Sequence, residues 1–245
     1  IARAAHLAHL HEVAREALAR GLTRFPGHRV MHLELTLLYI RHGLLRAALD
    51  VARHFLKVSG GDRLAHLLVA DAIIESRRYS QAIRVLEEAR LAAPRDRRVL
   101  ERLAYTYARQ GHAYAAARLF VRLARQDPAF AHAAADQLRI TGRRREALRW
   151  NRRVPEAKRR LTQRLDLLLS AGSFHRALLL EPALRQHGLA GPAVRYRLAH
   201  AAIRAGRYSD AQRLLKRLGG KHWGPRRERL AEVVRICKEK PWLCP

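Results

Sequence analysis

The sequence predicts an all-α fold, an α-α superhelix of about six to seven helical hairpins with a C-terminal capping helix. Three observations predict it. A short pattern (Gly or Arg, any residue, usually an apolar or aromatic residue, two more, then Ala) occurs as Gly43-Leu45-Ala48, Arg77-Tyr79-Ala82, Gly111-Ala113-Ala116, Gly142-Arg144-Ala147, Gly172-Phe174-Ala177 and Gly206-Tyr208-Ala211. Its first three copies stand 34 residues apart, and the later intervals are 31, 30 and 34. Ala, Leu and Arg dominate, all strong helix formers, and aromatics make up only 6%. Hydrophobic residues reach 49%, enough for a continuous core.

Taken in order, Ala14, Leu18, Gly21 and Pro26 read as the second half of an opening repeat. Leu35, Tyr39, Gly43 and Ala48 form the next, followed by Val69, Ile73, Tyr79, Ala82, Leu86, Ala89 and Pro94. In the copy around Gly111, Leu100, Leu103, Ala104 and Tyr107 recur at helical spacing and mark one buried face. Gly111 permits the bend, Ala116 lets the second helix cross closely, Phe120 and Leu123 carry the second face, and Pro128 closes the unit. The units at Gly142 and Gly172 are short, with Arg144, Asn151 and Glu181 at apolar positions. Irregular repeats are expected there, over about residues 129–190, with a shortened first helix or an altered superhelical twist, half-length or related helical-hairpin repeats being the other reading. Leu198, Ala199, Leu215 and Leu218 complete the last repeat. The array covers residues 1–220. Residues 221–245 hold a capping helix from about Arg226 to Lys238, with Leu230, Val233, Val234 and Cys237 on one side and Trp223 and Trp242 as anchors.

Leu103-Ala104, Tyr107, Gly111, Ala116, Phe120 and Pro128 fall in register with the tetratricopeptide repeat, and the sequence resembles that family over roughly residues 8 to 219. The resemblance implies a solenoid that binds partners on the surface of its first helices. That surface would carry Arg98, Glu101, Arg102, Tyr105 and Arg109, then Asp136 and Arg139, Arg159 and Asp166, and Tyr196, His200 and Arg204. Arg98 and Arg102 resemble two basic positions of the family's carboxylate clamp. Leu33, Leu37 and Leu68 stand where that clamp needs Lys and Asn, so a different ligand is expected.

The charge is extreme: 49 Lys+Arg against 21 Asp+Glu, a formal +28. Between Arg139 and Arg164 there are eleven basic residues, including Arg144, Arg145, Arg152, Arg153 and Arg159, against Glu146 and Glu156 alone. Self-repulsion at that density calls for an anionic partner, a solvated face being the other reading. The expected function is a non-enzymatic scaffold holding an acidic protein partner within a larger bacterial complex. An anionic polysaccharide in polymer export, or RNA, would meet the same charge.

Chemistry finds little support. The pairs His6–His9 and His28–His32 share helical spacing without a third ligand, so neither a metal nor another cofactor is expected. Gly60-Gly61-Asp62 and Gly219-Gly220-Lys221 follow no strand and are not phosphate loops. No Gly-x-Ser-x-Gly occurs, and Ser170, Ser173 and His175 fall at a bend. No enzyme is expected. There is no run of 18 apolar residues, hence no expected transmembrane segment. Cys237 and Cys244 could close a short disulfide loop or remain two thiols. The first would suit an oxidising compartment such as the periplasm, the second the cytoplasm. The start at Ile1 is compatible with a removed export signal.

Overall fold

The computed structural model describes residues 10–60, 62–220 and 223–244, and every regular element among them is helical. The His6–His9 pair, Gly61, Lys221 and His222 lie outside the described residues. Two compact units divide the chain, the first ending at Leu123 and the second beginning at Ala124.

The first unit holds α1 (His11–Arg24), α2 (Arg29–Arg41), α3 (Leu45–Val58), α4 (Arg63–Glu75), α5 (Tyr79–Ala92), α6 (Arg97–Gln110) and α7 (Ala113–Gln126), with the division inside α7. Helix α2 pairs with α3 and α4 with α5, while α2 touches α4 and α4 touches α6, so first helices line up beside first helices. Val69, Ile73, Leu86 and Leu103 are fully buried in one shared cluster. Tyr107 sits partly buried against it, and its hydroxyl donates to Glu87 Oε1 at 2.8 Å. Burial first, and then this bond, push the Tyr107 phenol up to about 12.

After the last residues of α7, the second unit has a 3-10 turn at Pro128–Phe130. It continues through α8 (Ala131–Ile140), α9 (Arg144–Asn151), α10 (Ala157–Ser170), α11 (Phe174–Leu178), α12 (Glu181–Gln186), α13 (Pro192–Arg204), α14 (Tyr208–Lys216) and α15 (Gly224–Glu239), and ends in a 3-10 turn at Pro241–Leu243. Its core gathers Leu165, Leu184, Leu198, Leu214 and Val234. Helix α15 packs on α13 and α14 through Val234 and Cys237, both fully buried. Trp223 anchors it, its ring 5.4 Å from that of Tyr196.

The recurring pattern has one geometric meaning in every copy. Its first residue adopts the left-handed backbone, with φ of 72° at Gly43, 58° at Arg77, 86° at Gly111, 77° at Gly142, 68° at Gly172 and 69° at Gly206. Each then closes the first helix the same way. At Gly111, its N–H donates to Ala108 O at 3.2 Å and the next N–H, of His112, donates to Tyr107 O at 2.9 Å. The alanine five residues on is buried in all six copies, from Ala48 to Ala211, where a larger side chain would force the helices apart.

Four sequence expectations need correction. The shortened first helix holds for the Gly142 unit, where α8 has 10 residues. For the Gly172 unit it does not, since α10 has 14 residues. The missing residues come instead from the preceding second helix, α9, which stops after 8 residues. Asn151, which ends α9, is fully buried and donates to Arg160 O at 2.9 Å and to Gln163 Oε1 at 3.1 Å, so it ties the early stop to α10. Trp242 is no anchor, being 77% exposed. Val233 lies at the edge of the α15 apolar face and is 39% exposed. Tyr196, expected on the binding face, is half-buried against the core beside Trp223. No helix of the described residues is long and apolar enough to cross a membrane.

Candidate functional site

In the first unit, Asp96 starts α6 by accepting from the N–H groups of Arg98 at 2.9 Å and Val99 at 3.1 Å. Its other oxygen meets Arg63 Nη1 at 2.9 Å. From this start Arg98, Arg102, Tyr105 and Arg109 project into solvent along α6. The Tyr105 ring is held edge-on against Phe120 at 5.0 Å. Arg102 Nε also lies 3.0 Å from Asp71 Oδ1 on α4, while its side chain stays exposed. Burial raises the Asp71 carboxyl pKa against the lowering effect of Arg102.

The same bond recurs in the second unit, where Arg197 on α13 pairs with Asp166 on α10. Both pairs are 31 residues apart and hold equivalent places, the acid six residues before its bend residue and the arginine nine before the next. A second rung links helix starts: Arg29 to Asp62 at 3.6 Å and Arg63 to Asp96 at 2.9 Å, each 33 residues apart. These ladders tie neighbouring first helices together. Sequence reading placed Arg102 and Asp166 on a binding face and missed Asp71 and Arg197. The signal was the shared offset from the bend residues.

In the second unit the charge gathers on the α9–α10 hairpin. Arg144, Arg145, Arg152, Arg153 and Arg159 are exposed there, and Arg139 on α8 is partly covered. Arg153 lies over the Trp150 ring at 5.0 Å, which orients its guanidinium. Glu146, one of only two acids in this stretch, is already held by Arg143 at 2.6 and 2.9 Å. Arg204 lies apart from the hairpin, on α13 over the Phe174 ring at 5.5 Å. Arg98, Arg102, Tyr105 and Arg109 belong to the first unit and the other predicted site residues to the second.

A buried polar chain fixes the base of this hairpin. Gln163 Nε2 donates to His132 Nδ1 at 2.7 Å and to His132 O at 2.8 Å, while its Oε1 accepts from Asn151. His132 also faces Asp136 Oδ2 at 3.3 Å. Burial is the main cause that lowers the His132 pKa, with Asp136 opposing it and Arg159 adding to it. Arg160 then braces the connecting loop, its Nη1 donating to Val154 O at 2.7 Å and Pro155 O at 3.3 Å.

Cys237 and Cys244 are joined by a disulfide, with their Cα atoms 5.6 Å apart. Among the described residues no group of three His, Cys, Asp or Glu side chains could hold a metal ion. Two surface hollows are shallow and open, one of about 550 Å³ beside Tyr107 and Tyr114 and one of about 570 Å³ beside Arg63 and Asp96.

No family model matches the sequence, and no curated protein matches it. Among solved structures, a chain of the Naa15/Naa10 structure bound to HypK-THB superposes with a TM-score of 0.69 at 14% identity, over 98% of this chain. This chain spans only 38% of that one. A tetratricopeptide repeat protein from Parabacteroides merdae ATCC 43184 gives a TM-score of 0.49 at 14% identity, covering 96% of each chain. MamA protein gives 0.47 at 16% identity, over 63% of this chain and 86% of its own. The left-handed bends, buried alanines and 34-residue spacing define a tetratricopeptide-type fold of helical hairpins, and the 0.69 superposition shares that fold.

Proposed function

We propose that this protein is a non-enzymatic adaptor that docks an acidic protein partner on the α9–α10 hairpin, within a larger bacterial assembly. One observation carries this reading: Arg144, Arg145, Arg152, Arg153 and Arg159 are exposed together, and Glu146, the acid among them, is bound to Arg143. A hairpin fold supports it, since stacked helices offer long surfaces to partners. The solved chain of like fold comes from a structure of Naa15/Naa10 bound to HypK-THB. Arginine suits the role because its planar fork grips carboxylates in pairs of hydrogen bonds. We further propose an exported location, where the Cys237–Cys244 bond would persist.

The test is a pulldown from the native organism with the wild-type chain and with R144E/R145E/R153E/R159E, each with nuclease and glycosidase treatment. The expected result is an acidic partner that survives both treatments and whose capture falls at least about tenfold in the variant. Unchanged capture by the variant would overturn the docking face. Loss under nuclease would favour RNA, and loss under glycosidase a polysaccharide; either overturns the protein-partner reading.

A further inference from the structure

The polar chain beneath the α9–α10 hairpin can run in only one direction. At one end Asn151 Nδ2 donates to the backbone carbonyl of Arg160 at 2.9 Å and to Gln163 Oε1 at 3.1 Å. At the other, Gln163 Nε2 donates to the backbone carbonyl of His132 at 2.8 Å and to His132 Nδ1 at 2.7 Å. A backbone carbonyl only accepts, so each amide is locked with its nitrogen toward one. Turning Gln163 over would set its oxygen against His132 O and its nitrogen against that of Asn151. The two amides thereby use every N–H they have, and His132 Nδ1 must accept. The ring is therefore neutral, with its proton on Nε2. Asn151 and Gln163 are both buried, so an N–H that loses its acceptor there finds no water in exchange.

Protonation turns His132 Nδ1 into a donor facing the Gln163 nitrogen, and neither amide can turn over to accept it. Another acceptor lies close by. Asp136 Oδ2, one turn along α8, is 3.3 Å from the same ring nitrogen. We propose that His132 is an acid switch: on taking up a proton from solvent its Nδ1 leaves Gln163 for Asp136, which unties α8 from the base of the α9–α10 hairpin. Helix α8 packs against both helices of that hairpin. The charged groups around the ring are Asp136 on its own helix and Arg159 and Glu156 from the start of α10. Helix α9 contributes the neutral Asn151 through Gln163, and the turn before α8, Pro128–Phe130, carries no charged side chain. Burial, opposed by Asp136 and Glu156 and aided by Arg159, lowers the His132 pKa. The stability this tie supplies is therefore whole above the ordinary histidine value of 6.5 and is lost as pH falls through the lowered one. The switch goes beyond the adaptor reading and does not depend on it, although it acts on the hairpin that carries the exposed arginines.

The experiment is an NMR titration of the full chain from about pH 8 to about pH 5, following the histidine ring nitrogens and the side-chain amides of Asn151 and Gln163. His132→Gln, which cannot titrate, assigns the His132 signals by their loss. At the upper end His132 should carry its proton on Nε2. Its midpoint should fall below 6.5, and the two amides should shift at that midpoint in the wild type but not in His132→Gln. In thermal unfolding over the same range, the wild type should lose more melting temperature on acidification than His132→Gln does. Asp136→Asn removes the acid-state partner at a partly exposed position and should lower the His132 midpoint further. Should His132→Gln fail to fold, the histidine whose midpoint falls in Asp136→Asn identifies His132. A proton on Nδ1 at the upper end, a midpoint at or above 6.5, amides that do not follow it, or equal acid sensitivity of the two proteins would overturn the proposal. None of these readouts involves a partner, so the switch and the docking face stand or fall separately.

Discussion

Arg77 occupies a glycine's place. At φ 58° its Cβ crowds the backbone carbonyl, a conformation that costs an L-residue roughly 1–2 kcal/mol. The side chain is exposed, and the other five bend positions are glycines with room around a would-be Cβ. The penalty is therefore one of backbone conformation rather than packing. Part of it is offset because arginine restricts the unfolded chain more than glycine does, by about 0.4–1 kcal/mol. Arg77→Gly should accordingly raise stability by about 0.5–1 kcal/mol, and Gly111→Ala should lower it by a similar amount. Urea unfolding measures both. A destabilised Arg77→Gly would show that the guanidinium makes a contribution larger than the strain it imposes.

Among the elements, what could be read from the residues depended on whether the cause was local. A left-handed bend needs glycine and a helix crossing needs alanine, so both mark their places at Gly111 and Ala116. The early end of α9 was not legible, because Asn151 looks like a failed apolar position until Arg160 O and Gln163 are seen beside it. Glu181 was unreadable for the same reason, since its partner Arg213 lies 32 residues away and grips both oxygens at 2.7 Å. Likewise the charge on α9 and α10 was visible in composition, whereas the engagement of Arg102 by Asp71 depends on two helices lying side by side. The C-terminal element carries a prediction of its own. Cys237 is fully buried on α15, and the turn at Pro241–Leu243 brings Cys244 back to it. In protein recovered from its own compartment, thiol titration under denaturing conditions should find no free thiol before reduction and two after it. Two free thiols before reduction would remove the support for export.

For the molecule as a whole, the governing quantity is net charge. With 49 cationic and 21 anionic side chains, pairing every carboxylate would still leave 28 positive charges unmatched. Many carboxylates are matched locally, as in Arg53–Asp50 and Arg235–Glu232, and exposed pairs of this kind contribute only about 0–1 kcal/mol each. Salt weakens those pairs and also weakens the repulsion among the unmatched arginines. The screening length falls from about 30 Å at 0.01 M to about 8 Å at 0.15 M, which spares contacts of 3 Å far more than repulsions acting over several helix widths. Repulsion should therefore lose more than attraction. The expected outcome is a melting temperature that rises with potassium chloride up to about 0.15 M and then levels. A falling melting temperature would mean that the ion-pair ladders, not the excess charge, dominate stability. That result would also weaken the case for an anionic partner, because the argument for one rests on a repulsion that something must offset.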